Sequence, residues 1–132
     1  RINTRSSNTM MSALGIIVTD IGKDYVYGKM PVDQRTMQPF GVLHGGASVA
    51  LAETLGSIGA GLQVNQETHG VVGIEINASH LRSISDGWVY GKAEPIRVGR
   101  NIQVWKIQIT DQYDKIICQS RLTLAKIKKR HD

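Results

Sequence analysis

The chain alternates short runs of β-branched and aromatic residues with polar turns, a pattern that predicts strands. Six such runs are present: Gly15–Asp20, Tyr25–Met30, Val71–Ala78, Trp88–Ala93, Ile102–Thr110 and Ile116–Ala125. The turn Gly22-Lys23-Asp24 separates the first two. A short helix is predicted over Thr9–Leu14, and loops over 31–39 and 63–70.

The most informative segment is a helix predicted over Gly46–Ala60, which is small and apolar nearly all round. A helix without a polar face is a buried one. Each interior glycine costs a helix about 1 kcal/mol, so Gly56, Gly59 and Gly61 indicate close contact with a neighbouring layer. One long central helix wrapped by a mostly antiparallel sheet is an α+β architecture.

Length and composition bound the class of protein. The 132 residues fit one domain, 1–132, and 41% hydrophobic with 20% charged residues is typical of a soluble globular protein. No apolar run is long enough to span a membrane, and the polar start, Arg1–Asn8, is not a secretory signal. The one cysteine, Cys118, lies in an apolar run, which favours a buried residue in a reducing, cytoplasmic protein.

The net charge of +5 is compatible either with simple solubility or with a polyanionic partner. Basic residues concentrate at Arg121 and Lys126–Arg130, a pattern that favours a solvated C-terminal tail. No nucleic-acid-binding motif is present, so nucleic acid is not the expected partner. The histidines and the cysteine have no zinc-ligand spacing, and neither a metal nor another cofactor is expected.

Glu53 is the only charged residue between Arg35 and Glu67, and it lies in the middle of the apolar helix. Burial of an unpaired carboxylate costs several kcal/mol, so such a residue is paired, protonated or functional. A salt bridge to a distant arginine is the alternative, although no cation lies within one helical turn of Glu53.

The tripeptide His44-Gly45-Gly46 comes directly before this helix. Glycines let a ligand approach the backbone closely, and the free N–H groups at a helix N-terminus attract negative charge. In acyl transfer such groups hold the developing oxyanion. Taken alone, the tripeptide is equally compatible with an ordinary glycine-rich helix start.

These pieces belong to a longer set of motifs: 30–36, 38–48, 51–53, 72–83, 103–105 and 120–123. In this set, Gln38-Pro39-Phe40-Gly41-Val42-Leu43-His44-Gly45-Gly46 and Leu51-Ala52-Glu53 closely resemble the hotdog-fold thioesterases of the phenylacetate and menaquinone type. Those enzymes act on acyl- and aroyl-CoA, including 1,4-dihydroxy-2-naphthoyl-CoA. The similarity covers nearly the whole chain from Gly15 onward.

The resemblance implies a hotdog fold, acyl-CoA or aroyl-CoA hydrolysis, and roles for the matching positions. Glu53 would be the general base or the nucleophile, and the Gly45 N–H would polarise the thioester carbonyl. His44 and Gln38 would orient that carbonyl, and Ser57 would hold the attacking water or the carboxylate.

Further positions would bind the substrate: Gly73, His80, Arg82, Ser83, Gly99 and Arg100. For Arg82 an exposed charge at a strand end is the alternative. Gly99 and Arg100 lie in a predicted turn between two strands. Here the chain departs from the family, which often has Gly-Ser-Arg where this chain has Gly99-Arg100-Asn101. Candidate residues for the acyl pocket, with core packing as an equal alternative, are Phe40, Leu43, Ile58 and Val72.

Helix geometry adds an independent expectation about assembly. Gly45 and Glu53 are eight residues apart, about 12 Å along a helix, yet both must lie within about 3.5 Å of one thioester carbon. Two helices related by a two-fold axis solve this problem. We therefore expect an obligate homodimer in which Glu53 faces the partner's His44-Gly45, and a homotetramer, a dimer of dimers, as its further assembly.

Two other functions compete with thioester hydrolysis. One is a hotdog hydratase or dehydratase, whose acid and histidine act at an acyl β-carbon, a pattern that the spacing of Gln38, His44 and Glu53 does not match. The other is a non-catalytic acyl-CoA-binding protein. Glu53 argues against it, because binding alone needs no buried carboxylate.

Overall fold

The computed structural model describes residues 2–130, and it contains one antiparallel sheet with a long helix on one face. The strand order is β1-β2-β4-β5-β6-β3, and every neighbouring pair is antiparallel. The predicted α+β architecture is confirmed. The elements, in chain order, are α1 Ile2–Arg5, α2 Met10–Leu14, β1 Ile17–Gly22, β2 Tyr25–Pro31, α3 Gly45–Gly61, β3 His69–His80, β4 Trp88–Val98, β5 Ile102–Thr110 and β6 Ile116–Lys128.

One face of α3 packs directly on the sheet and forms the core. A methyl group at Gly56 would lie 2.7 Å from Leu122 Cδ2, and one at Gly59 would lie 2.6 Å from the Trp105 ring. The close contact predicted for these two glycines is therefore confirmed. The same prediction is wrong for Gly61, where the nearest atom to an added methyl group is a Val71 side-chain carbon at 4.0 Å.

The opposite face of α3 is only half-buried in the single chain, whereas the sequence pattern predicted burial all round. This open face contains Val49, Ala50, Glu53, Thr54, Ser57 and Ile58. Three of its residues are polar, Glu53, Thr54 and Ser57, which is too few to give the sequence pattern a polar face. The short helix α2 covers only its first part.

The first hairpin begins later than predicted. Gly15 ends α2 with φ +74°, and its N–H donates to the Ser12 carbonyl at 3.2 Å, so it cannot start a strand. Strand β1 accordingly begins at Ile17 and includes Gly22. The turn therefore consists of Lys23 and Asp24 alone.

Three other strands extend past their predicted ends. Strand β4 continues through Pro95, where the register shifts at a β-bulge, and β3 begins within the predicted loop. Residues Lys126–Lys128 pair with the start of β3, so they are not a solvated tail. Helix α1 was not predicted, because its four residues are too few for a periodic pattern.

Strand β3 is a sheet edge, since among the described strands only β6 lies beside it. It is 12 residues long, and Val72 and Ile74 are 41% and 56% exposed. Long apolar edges of this kind are templates for pairing with another chain. The edge lies on the same side of the molecule as the Glu53 carboxylate, as the site geometry shows.

Candidate active site

The start of α3 presents hydrogen-bond donors that have no acceptor in the described part of the chain. His44 caps the helix, with its Nδ1 accepting from the Gly46 N–H at 2.8 Å. In the neutral imidazole this leaves the proton on Nε2, which is free to donate. Within residues 2–130 the Gly45 N–H has no hydrogen-bond acceptor. Two donors at one helix terminus are therefore available for a ligand.

The preceding loop is held in one shape by its own hydrogen bonds. The His44 N–H donates to the Thr36 carbonyl at 2.8 Å, and the Gln38 N–H donates to the Val42 carbonyl at 2.9 Å. The Gln38 side-chain oxygen accepts from the Phe40 N–H, which leaves the Gln38 amide NH₂ as a third donor. The Phe40 ring projects from the loop and is 91% exposed.

The Glu53 carboxylate is unpaired within residues 2–130. It makes neither a hydrogen bond nor an ion pair with any residue in the described part of the chain, where the single ion pair joins Arg35 to Asp33. The alternative of a salt bridge for Glu53 therefore finds no support there. The side chain is half-buried rather than fully buried, which lowers the cost of leaving it charged.

The Glu53 side chain lies against the backbone of edge strand β3. A methyl group at Gly73 would lie only 2.6 Å from Glu53 Oε2, so the glycine makes room for the carboxylate. The β3–β6 register shifts between Gly73 and Glu75, which places a β-bulge at this contact. Ser57 lies one turn beyond Glu53 on the same open face of α3.

Four predicted site residues meet in one cleft of about 440 Å³ at the start of α3: Gly45, His80, Arg82 and Ser83. The remaining walls include Leu43, Ser48 and Leu81, of which Ser48 and Leu81 were not among the predicted site residues. The His80 ring lies over the helix start, since a methyl group at Gly45 would be 3.0 Å from its Nε2. The free N–H and the Arg82 guanidinium make this cleft suitable for an anion.

The predicted turn Gly99-Arg100 lies at the other end of the molecule. It joins β4 to β5, and the neighbouring Gln103 side chain donates to the Ala60 carbonyl, near the end of α3, at 3.1 Å. A helix of 17 residues is about 25 Å long, so one chain does not bring this turn to the cleft. Glu53 and Gly45 are likewise separated by about 12 Å of helix.

Cys118 belongs to the hydrophobic core. Cys118 is completely buried, and burial raises the pKa of its thiol, so it is a core residue and a poor nucleophile. Among residues 2–130 no three His, Cys, Asp or Glu side chains are close enough to hold a metal ion. No helix in the same range has the length and hydropathy to cross a membrane.

Comparison with known proteins decides the family. The sequence profile of the thioesterase superfamily matches residues 40–118, more than half of the chain and the segment that contains both His44-Gly45 and Glu53. The chain belongs to the thioesterase superfamily. It is accordingly a thioester hydrolase with the hotdog fold, and both expectations from the resemblance are confirmed at this level.

The similarity to relatives covers almost the full length of this thioesterase. It is 50% identical to the proofreading thioesterase EntH of Cronobacter sakazakii, over 94% of this chain and 90% of that protein. A thioesterase crystal structure from Haemophilus influenzae is 51% identical, with a TM-score of 0.94 over 99% and 92% of the two chains. Glutamate-to-alanine and glutamine-to-alanine mutants of a Staphylococcus aureus protein, both 34% identical, have TM-scores of 0.89 and 0.86. They cover 91% and 89% of this chain, and 99% and 97% of their own.

Proposed function

We propose that this thioesterase hydrolyses an acyl- or aroyl-CoA thioester with Glu53 as the general base or the nucleophile. One observation carries the proposal: an unpaired carboxylate in an apolar helix, for which Gly73 leaves room. A structural glutamate would have a partner, whereas a catalytic one must keep its oxygens free for substrate or water. The specific class of aroyl-CoA thioesterase stays a prediction.

In this reaction the carbonyl oxygen of the thioester accepts hydrogen bonds from the Gly45 N–H, with His44 and Gln38 as further donors. Glu53 removes a proton from the attacking water, or attacks the carbonyl itself to form an anhydride that water then cleaves. Ser57 holds the water or the carboxylate. The C–S bond breaks, CoA leaves as the thiolate and is protonated, and the free acid is released.

We propose that the site is shared by two copies of the chain, paired along the β3 edges. Glu53 lies against Gly73, and Gly45 lies against His80. If the two edges pair antiparallel with the two-fold axis near Ile76, midway between positions 73 and 80, Gly73 of each chain comes beside the partner's His80. Glu53 then faces the partner's oxyanion donors, which removes the 12 Å separation within one helix.

The same pairing would bring the Gly99-Arg100 turn of one chain near the cleft of its partner. Antiparallel edges put the end of α3 in one chain near the start of α3 in the other, and the Gly99-Arg100 turn accompanies the end of α3. The CoA phosphates would thus meet His80, Arg82 and Ser83 of one chain and this turn from the partner. A dimer of dimers and a cytoplasmic location stay predictions.

The S. aureus relative supports the choice of residues. The two positions altered to alanine in its mutants, a glutamine and a glutamate, are 15 residues apart (47 − 32). Gln38 and Glu53 have the same separation here (53 − 38). Since that protein is similar over nearly its whole length, the spacing fits a correspondence between the two pairs.

Thiol release from a panel of CoA thioesters tests the function, and Arg82 tests the binding mode. We expect Arg82→Ala to raise KM for CoA thioesters about tenfold with kcat nearly unchanged, because contacts remote from the reacting bond contribute mainly uniform binding. A pantetheine thioester, which lacks the nucleotide, should be cleaved equally well by both proteins. Arg121→Ala, on the sheet face opposite α3, is the control. Equal losses on both substrates would show that Arg82 is structural.

Gly73 tests the position of the carboxylate. In Gly73→Ala the new methyl group would displace Glu53 Oε2, and we expect kcat to fall at least tenfold, because a misplacement of about 1 Å can cost 10²-fold. The melting temperature should change little, since the flexible end of the side chain absorbs the contact. Gly70→Ala, on the same strand with no atom within 4 Å, should be neutral. Equal activity of the two variants would contradict this role for Gly73.

A further inference from the structure

A second cleft, of about 540 Å³, separates α2 from the open face of α3. Its walls are formed mainly by Met10 and Met11 on one side and by Val49 and Ala50 on the other, and Glu53 forms one boundary. Ligand pockets typically measure about 300–1,000 Å³. The cleft thus has ligand size and reaches the carboxylate on which the proposed reaction depends.

The three hydroxyl groups around this cleft are already occupied, and its charged lining side chains are Arg5 and Glu53. The Ser6 hydroxyl donates to the Ile2 carbonyl at 2.7 Å, and the Thr54 hydroxyl donates to the Ala50 carbonyl at 2.6 Å. The Thr9 hydroxyl donates to the Ser6 carbonyl. These hydroxyl groups have no remaining donor for a ligand, so between Arg5 and Glu53 the walls present mainly hydrocarbon and thioether surface.

We infer that this cleft binds the acyl group of the substrate and that Met10 and Met11 determine which acyl groups fit. The inference rests on the proposed function, since it takes Glu53 to be at the thioester. The acyl group extends from Glu53 beneath α2, while CoA lies in the partner's cleft at the start of α3. Methionine side chains are flexible and polarisable, which suits apolar acyl groups of differing shape, including an aromatic ring.

The alternative is an imperfectly filled gap beneath a short surface helix, with no role in substrate choice. Met10 distinguishes the two, because it is 65% exposed and can be changed without disturbing the core. Met11 is partly buried against the core cluster, so its variants require a check of folding. Ala13, two residues after Met11, is exposed on α2 and does not line the cleft, so it serves as the control position.

The experiment compares kcat/KM for acetyl-, hexanoyl-, dodecanoyl- and benzoyl-CoA. Met10→Trp should lower the values for dodecanoyl- and benzoyl-CoA at least tenfold relative to acetyl-CoA, because even one methylene changes discrimination 10- to 200-fold in an apolar pocket. Met11→Ala, with thermal melting as the check of folding, should shift the preference toward the larger groups. The control Ala13→Trp should leave all ratios unchanged.

Each outcome has a definite meaning. Unchanged acyl ratios in both methionine variants, or the same change in Ala13→Trp, would overturn the inference while leaving the proposed function intact. Wild-type protein that cleaves none of the four thioesters would instead contradict the proposed function, and the inference with it. A loss confined to the larger acyl groups supports both.

Discussion

Glu53→Gln should lower kcat by about 10²–10⁴-fold while the protein stays folded. The amide has nearly the same shape as the carboxylate, but it can neither accept a proton from water nor attack the carbonyl. Because Glu53 has no partner within residues 2–130, the substitution breaks no ion pair and leaves no buried charge. Circular dichroism and the melting temperature should therefore match those of the wild type.

The matched control for this variant is Glu94→Gln. Glu94 is an exposed carboxylate on β4, on the sheet face opposite α3, and its substitution should leave kcat unchanged. The measurement is thiol release at saturating thioester. A Glu53→Gln enzyme that keeps more than a tenth of wild-type kcat would contradict the catalytic assignment.

Much of the site was predictable because its signal is local. A lone charge in an apolar helix identifies Glu53, and two glycines after a capping residue identify the start of α3. The structure agrees in finding the carboxylate unpaired and the Gly45 N–H without an acceptor in the described chain. The glycines at 56 and 59 likewise predicted close packing, since nothing else justifies their cost in a helix.

The remainder depends on contacts between residues distant in sequence. The pattern that marks strands could not show that Gly15 caps a helix or that β4 continues past Pro95. The contact of Gly73 with Glu53, and the cleft beneath Met10, depend on strand order and on the placement of α2. An apolar helix pattern also cannot show which face lies on the sheet and which stays open.

If the site is shared between two chains, two inactive variants should restore activity when they are combined in one dimer. A chain with Glu53→Ala lacks the carboxylate. A chain with His44→Asp lacks the imidazole donor but keeps a side chain that caps helices well, so α3 should still form. Each variant alone gives a homodimer in which both sites are defective, and each should be inactive.

In a mixed dimer, one site contains both defects and the other contains neither, provided that Glu53 and the His44-Gly45 donors of each site come from different chains. Co-expression with two different affinity tags, followed by sequential purification, isolates this heterodimer. Circular dichroism of all three preparations establishes that loss of activity is not loss of fold.

The rate of thiol release by that purified heterodimer is the most direct test of a catalytic site built from two copies of the chain. We predict about half of the wild-type activity, since one of the two sites is intact, against background activity in both homodimers. A folded heterodimer that is as inactive as the two homodimers would contradict the shared site, and would require Glu53 and its oxyanion donor to act within one chain.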